Sequence, residues 1–200
     1  MKRVGLYFGT FNPIHIGHLI IANYMANHTD LDEVWMVVTP HNPFKDRSEL
    51  LPDHHRLQMS ILATKENMRL YVSDVEFELP KPNYTYLTLR ELKRLHPDHT
   101  FSLIMGEDNL RSLHRWKNYE EIVGEYSIKV YPRLIEDEED MEPLGQLKGD
   151  IEICEAPLMK ISSTFIRNSI RDQKDVRYLI PEAVTNYISN NYLYEEKNNR

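Results

Sequence analysis

The chain reads as α/β, a doubly wound parallel sheet followed by C-terminal helices. Short apolar runs of strand character alternate with longer segments of helical period, beginning with Val4–Phe8 and then Leu19–Ala26. Such alternation of βα units places helices on both faces of a parallel sheet. Glycine and proline turns follow the first run directly, at the place where ligands of such sheets bind, beyond the strand C-termini.

The elements follow in order. Val34–Val38 is an apolar strand stopped by Thr39-Pro40. Asp53–Glu66 has helical period, with Leu57, Ile61 and Leu62 as its apolar positions. Leu70–Val72 is a short strand. Tyr84–Leu95 reads as a helix that offers Leu87, Leu89 and Leu92 to the core, and His96-Pro97 closes it. Phe101–Met105 is a buried strand ending at Gly106, and Ile128–Tyr131 and Ile151–Cys154 are the last two strands. Helices start at Ser163 and at Pro181, the second with proline in its first turn. The expected organisation is one domain over residues 1–192, with 193–200 a frayed, charged tail.

Composition narrows the class of protein. Two hundred residues with 41% hydrophobic content support a sizeable core. A net charge of −7 argues against a nucleic-acid partner held by broad electrostatics. The single Cys154 cannot form an internal disulfide and is expected as a buried thiol in a reducing compartment. No Cys/His spacing suggests structural zinc, and Glu136–Asp140 lacks the glycine and ligand alternation of a calcium loop, so it reads as a solvated acidic segment. There is no signal-peptide pattern, membrane-length apolar run or P-loop. The expectation is a cytoplasmic, soluble enzyme, with no nucleic-acid or membrane partner and homo-oligomerisation left open.

The chemistry gathers at Gly9-Thr10-Phe11-Asn12-Pro13-Ile14-His15-Ile16-Gly17-His18, between the first strand and the first helix. Unpaired N–H groups at a helix start carry partial positive charge and suit phosphate. His15 and His18 stand at i and i+3, so both imidazoles share one helix face and aim donors at the same anion.

This segment resembles the signature of the nucleotidyltransferases related to class I aminoacyl-tRNA synthetases, whose His-x-Gly-His motif handles ATP phosphates. A second part of that signature stands at Ile161-Ser162-Ser163-Thr164-Phe165-Ile166-Arg167. Ser162 and Ser163 suit a helix N-cap, and Arg167 lies about one turn inside, where a guanidinium can fork onto phosphate oxygens. Within the superfamily the middle of the chain is similar to nicotinate mononucleotide adenylyltransferases. The quoted segments are Thr39–Lys45, Asn83–Leu89, Phe101–Leu110 and His114-Arg115-Trp116, so the resemblance spans about residues 2–190. Phe8, Asn12 and Leu87 depart from that family's usual residues, as does Tyr131-Pro132-Arg133, where Arg-Pro-Gly is usual.

The resemblance implies a Rossmann-like fold and adenylyl transfer from ATP to nicotinate mononucleotide, with Mg²⁺ carried by ATP and no metal bound by the chain itself. It implies catalytic roles for His15, His18 and Arg167, and ATP contacts from Gly9, Thr10, Phe11, Gly17, Ile161, Ser162 and Ser163, with Gly106 and Asp108 framing the ribose. For the acceptor it implies Lys45 on the phosphate, Trp116 stacked on the pyridine, and Tyr84 and Thr85 at the carboxylate. Three other readings stay open: a preference for the nicotinamide form, a non-catalytic nucleotide-binding regulator, and an RNA-binding relative.

Overall fold

In a computed structural model, residues 1–41, 49–133 and 148–195 are described. Lys45 and the acidic segment Glu136–Asp140 lie outside them.

Six strands form one parallel sheet: β1 (Lys2–Gly9), β2 (Glu33–Val38), β3 (Leu70–Ser73), β4 (His99–Gly106), β5 (Ser127–Tyr131) and β6 (Ile151–Ile153), in the order β3-β2-β1-β4-β5-β6. The helices are α1 (Ile16–His28), α2 (Asp53–Thr64), α3 (Thr85–Leu95), α4 (Glu107–Arg111), α5 (Tyr119–Glu125), α6 (Ser163–Arg171) and α7 (Glu182–Asn190). β1 pairs with β2 on one side and β4 on the other, so the strand order reverses between β1 and β4. A crevice opens beyond the C-terminal ends of strands at such a reversal. The doubly wound α/β reading therefore holds.

Alternate residues of a strand point to opposite faces, and each face has its own core. Val4 and Leu6 of β1 join Leu89, Leu92, Leu103 and Ile122 in one. Tyr7 joins Met25, Met36, Met59, Ile166 and Val184 in the other. Cys154 is buried just past β6, as expected, and its N–H extends the ladder to the Val130 carbonyl at 2.8 Å.

Four details differ from the sequence reading. In α2, Ile61 is 43% exposed and Leu57 and Leu62 are only partly buried, while Arg56, Met59, Ser60 and Thr64 face inward. The helix is turned this way because the Arg56 guanidinium is bonded into the interior. Leu87 is half-buried, whereas Leu89 and Leu92 are fully enclosed. Residues 107–125 hold α4, a 3-10 turn at Leu113–Arg115 and α5, pieces too short to display a period. Finally, Leu193 is buried and the Tyr194 hydroxyl donates to Asn12 Oδ1 at 2.8 Å, so ordered packing passes residue 192.

Candidate active site

The loop from β1 to α1 crosses the mouth of the crevice. Phe11 lies in it with φ of 45°, a left-handed conformation costly for a bulky residue, and is held there by near-complete burial. His15 is the N-cap of α1 and His18 its third residue. His15 Nδ1 accepts the His18 backbone N–H at 3.3 Å, and His18 Nδ1 accepts that of His15 at 3.2 Å. A backbone N–H can only donate, so each Nδ1 is an acceptor and the proton of the neutral ring sits on Nε2. The local sequence thus builds a capping box from two imidazoles and fixes their tautomers together.

Burial, aided by the positive charge of Arg133, pushes the His15 pKa from 6.5 down to about 4. His15 is therefore neutral near pH 7. His18 is packed against the edges of two rings, with Phe11 at 5.1 Å and Tyr7 at 6.1 Å between centroids. The Tyr7 hydroxyl meets that of Tyr131 at 3.3 Å beneath the site.

Helix α6 closes the cleft from the far end of the chain. Ser162 caps it by accepting the Phe165 N–H at 3.2 Å. Ser163 Oγ donates to the Pro13 carbonyl at 2.9 Å across 150 residues of sequence. Arg167 donates to the Asn12 carbonyl at 3.1 Å and to Glu49, while its buried Nε has no partner among the described residues. Arg167 and then Arg171 hold the Glu49 carboxyl below the usual carboxylate range. Asn12 ties the loop further, donating to the Glu49 carbonyl at 2.8 Å and accepting from Leu51 N at 3.3 Å.

These residues enclose a cleft of about 630 Å³. His15, His18, Ser162, Ser163 and Arg167 line it, as do Gly9, Thr10, Phe11, Gly17 and Ile161. A second cleft of about 600 Å³ adjoins it. Tyr84, Thr85, Trp116 and Asp108 line that one. Asp108 thus stands on the second cleft, and Gly106 lies at the end of β4, next to Asp108. Helix α3 begins in the wall of this cleft at Tyr84, whose side chain provides no cap, so the positive end of the helix is available to an anion. Lys117 Nζ lies 4.6 Å from the Tyr84 ring centroid and adds positive charge there.

Two further residues shape the site. Arg56 is fully buried and donates to the carbonyls of Thr10 (2.6 Å), Thr39 (2.8 Å) and Leu51 (3.0 Å), binding the β1 loop to the segment after β2. A charged residue in register with Met59 and Ser60 on α2 was its visible signal. Arg133 faces both clefts, and only its departure from the usual Arg-Pro-Gly singled it out. Among the described residues, no group of three or more His, Cys, Asp or Glu is placed to hold a metal ion, and no helix is long and apolar enough to cross a membrane.

Residues 6–169 match the family described as cytidylyltransferase-like. A Flavobacterium johnsoniae protein named "Probable nicotinate-nucleotide adenylyltransferase" is 54% identical over 97% of this chain and 100% of its own length. A Bacteroides fragilis protein of the same name is 46% identical, over 91% of this chain and 89% of that one. The Plasmodium falciparum nicotinic acid mononucleotide adenylyltransferase complexed with NaAD superposes with a TM-score of 0.77 at 22% identity, covering 97% of this chain and 98% of that one, a likeness of fold. A histidine-capped helix at the strand reversal, a serine-capped helix bonded to the loop before it, and full-length relatives at this identity place the chain in the nicotinate-nucleotide adenylyltransferase family.

Proposed function

We propose that the chain transfers the adenylyl group of ATP to nicotinate mononucleotide, releasing pyrophosphate and nicotinate adenine dinucleotide. The observation that carries this reading is the meeting of the two clefts at Gly9 and Thr10, one walled by phosphate donors and the other by an uncapped helix start and Trp116.

The 5′-phosphate of the acceptor is already an anionic nucleophile. One of its oxygens bonds to the α-phosphorus of ATP, the bridging bond from that phosphorus to the β-phosphate oxygen breaks, and pyrophosphate departs with the electron pair. No general base is needed, so the chain's task is positioning and charge stabilisation. His18 donates from Nε2 to the α-phosphate. His15, Ser163 and Arg167 hold the remaining phosphates, and backbone N–H groups of the Gly9–Phe11 loop support them. For Arg167 this means exchanging Glu49 for phosphate, and its Nε, without a partner among the described residues, supplies a further donor.

Mg²⁺ enters as part of the ATP substrate, held by phosphate oxygens and water. The resemblance gives Gly106 and Asp108 to the adenosine ribose, which puts the ribose near the junction, since Asp108 lines the second cleft beside Asn109, a residue of both. On the acceptor side, Trp116 stacks on the pyridine and the N–H groups at Tyr84 and Thr85 receive its carboxylate. A full negative charge gains more from a helix start than an amide does. Lys45 is the candidate for the acceptor phosphate and lies outside the described residues.

The test is pyrophosphate release with Mg²⁺-ATP and either nicotinate or nicotinamide mononucleotide. The expected result is release with a strong preference for the acid. Preference for the amide overturns the substrate, and no release with either overturns the function.

A further inference from the structure

We propose that Arg133 is a catalytic residue of this adenylyl transfer, binding phosphate oxygens at the junction of the two clefts. The inference rests on the function proposed above. The clefts share Phe8, Gly9, Thr10, Asn109 and Arg133, and of these five only Arg133 is charged. The new phosphorus–oxygen bond joins a phosphate held in one cleft to the α-phosphorus held in the other. The reacting atoms therefore meet along this shared wall, and the negative charge of both phosphates converges there.

The chain delivers the guanidinium to that place by short, defined steps. β5 ends at Tyr131, Pro132 follows, and the Arg133 stem passes over Gly106 at the end of β4. Any Cβ at position 106 would lie 2.6 Å from Arg133 Cδ, so glycine there admits the stem. The guanidinium faces Asp108 at 3.7 Å, beyond hydrogen-bonding distance, with the two side chains 48% and 46% exposed. A half-exposed pair at that distance is weak. A phosphate offering two oxygens in the plane of the guanidinium is the stronger partner. The buried Tyr131 hydroxyl lies against the same group, and the Arg133 field already reaches His15, where it adds to burial in keeping the ring neutral. Substrate binding then moves Arg133 from Asp108 to the phosphates at the junction, where it adds a donor to the one His18 supplies from within the first cleft.

The experiment is steady-state kinetics of the full chain with Mg²⁺-ATP and nicotinate mononucleotide for wild type, Arg133→Gln and Arg133→Lys, alongside thermal melts. Losing one donor to the reacting phosphate is expected to lower kcat about 100-fold in Arg133→Gln. The KM values for both substrates should move less than about threefold, since the interaction strengthens in the transition state. The melting temperature should hold, because a half-exposed loop side chain is removed. Arg133→Lys, which keeps the charge and loses the fork, should recover about a tenth of the wild-type kcat. A kcat for Arg133→Gln within about threefold of wild type overturns the proposal, as does a loss confined to the KM of one substrate. If Arg133→Gln melts early, Arg133→Lys decides by the same kinetic criterion. A wild-type chain inactive with this pair of substrates overturns the function itself, and the role of Arg133 with it.

Discussion

The imidazoles of His15 and His18 lie 3.6 Å apart and nearly parallel, at 21°, each accepting the other's backbone amide. One pair of side chains therefore both starts helix α1 and arms the cleft. Removing His18 should have two separable effects. His18→Ala should lower kcat by at least ~10²-fold, the scale of one transition-state donor. It should also cost about 0.5–1 kcal/mol of stability through the lost half of the capping box. Glutamine is a natural third residue in such boxes, so His18→Gln should regain the stability without the rate. Kinetics and denaturant titration of both variants test this, and near-wild-type turnover of His18→Ala would remove His18 from the chemistry.

The neutral state of His15 makes a prediction about acid stability. Its folded pKa of about 4 lies below the unfolded value of 6.5, so between those limits the unfolded chain binds a proton that the folded chain refuses. The stabilisation is complete above pH 6.5 and is lost as pH falls toward 4, with a ceiling of roughly 3 kcal/mol. Asparagine is a good N-cap that does not titrate. Denaturation free energies measured from pH 7 to 4.5 should thus fall more steeply for wild type than for His15→Asn. Parallel curves would mean that His15 titrates normally in the folded chain.

Arg56 links three stretches of backbone through the carbonyls of Thr10, Thr39 and Leu51, and pairs with Asp53 at 2.5 Å. Arg56→Ala leaves those buried acceptors without donors and should destabilise by about 3 kcal/mol or more. Asp53 keeps Lys81 at 3.3 Å, so the loss comes chiefly from the carbonyls. Arg56→Lys, with one compact head group, should lose about half as much. Because Thr10 stands in both clefts, Arg56→Ala should also reduce turnover at temperatures where it is folded. Urea titration with rates measured on the same preparations tests both. A loss under about 1 kcal/mol would show that water replaces the guanidinium at those carbonyls.

The contrast between Ser162 and Arg56 explains what the sequence could disclose. Ser162 acts within one helical turn, on Phe165 N, so its role follows from local chemistry. The same holds for the glycine- and proline-bearing loop into His15, and for the strands, whose apolar runs reflect burial on both faces. Arg56 acts on Thr10 and Thr39, remote in sequence, so the leucine periodicity of α2 found Leu57 and Leu62 at the edge of the core but not the charged residue at its centre. Tyr194 is likewise ordered by Asn12, 182 residues away, although its surroundings in sequence are polar and charged. The junction role of Arg133 depends on how two clefts adjoin, which no local pattern encodes.

Gly17 separates helix-forming tendency from catalytic fit. It is buried in the first turn of α1, where alanine would ordinarily favour the helix by up to about 1 kcal/mol. A Cβ there would lie 3.1 Å from both Cε1 and Nδ1 of the His15 ring and 3.7 Å from Ile161 Cβ. The ring cannot retreat freely, because it is stacked on His18 at 3.6 Å and its Nδ1 is bonded to His18 N. A shift of a few tenths of an ångström must then pass into the histidine pair. Displacements of about 1 Å cost on the order of 10²-fold in rate, so Gly17→Ala should lower kcat about three- to tenfold. Its stability should stay within about 1 kcal/mol of wild type, since the helix gain offsets the crowding. Melting curves and kcat measured on the one variant decide the matter: unchanged turnover would show that the ring accommodates a methyl group, and a large loss of stability would show that the crowding reaches the core.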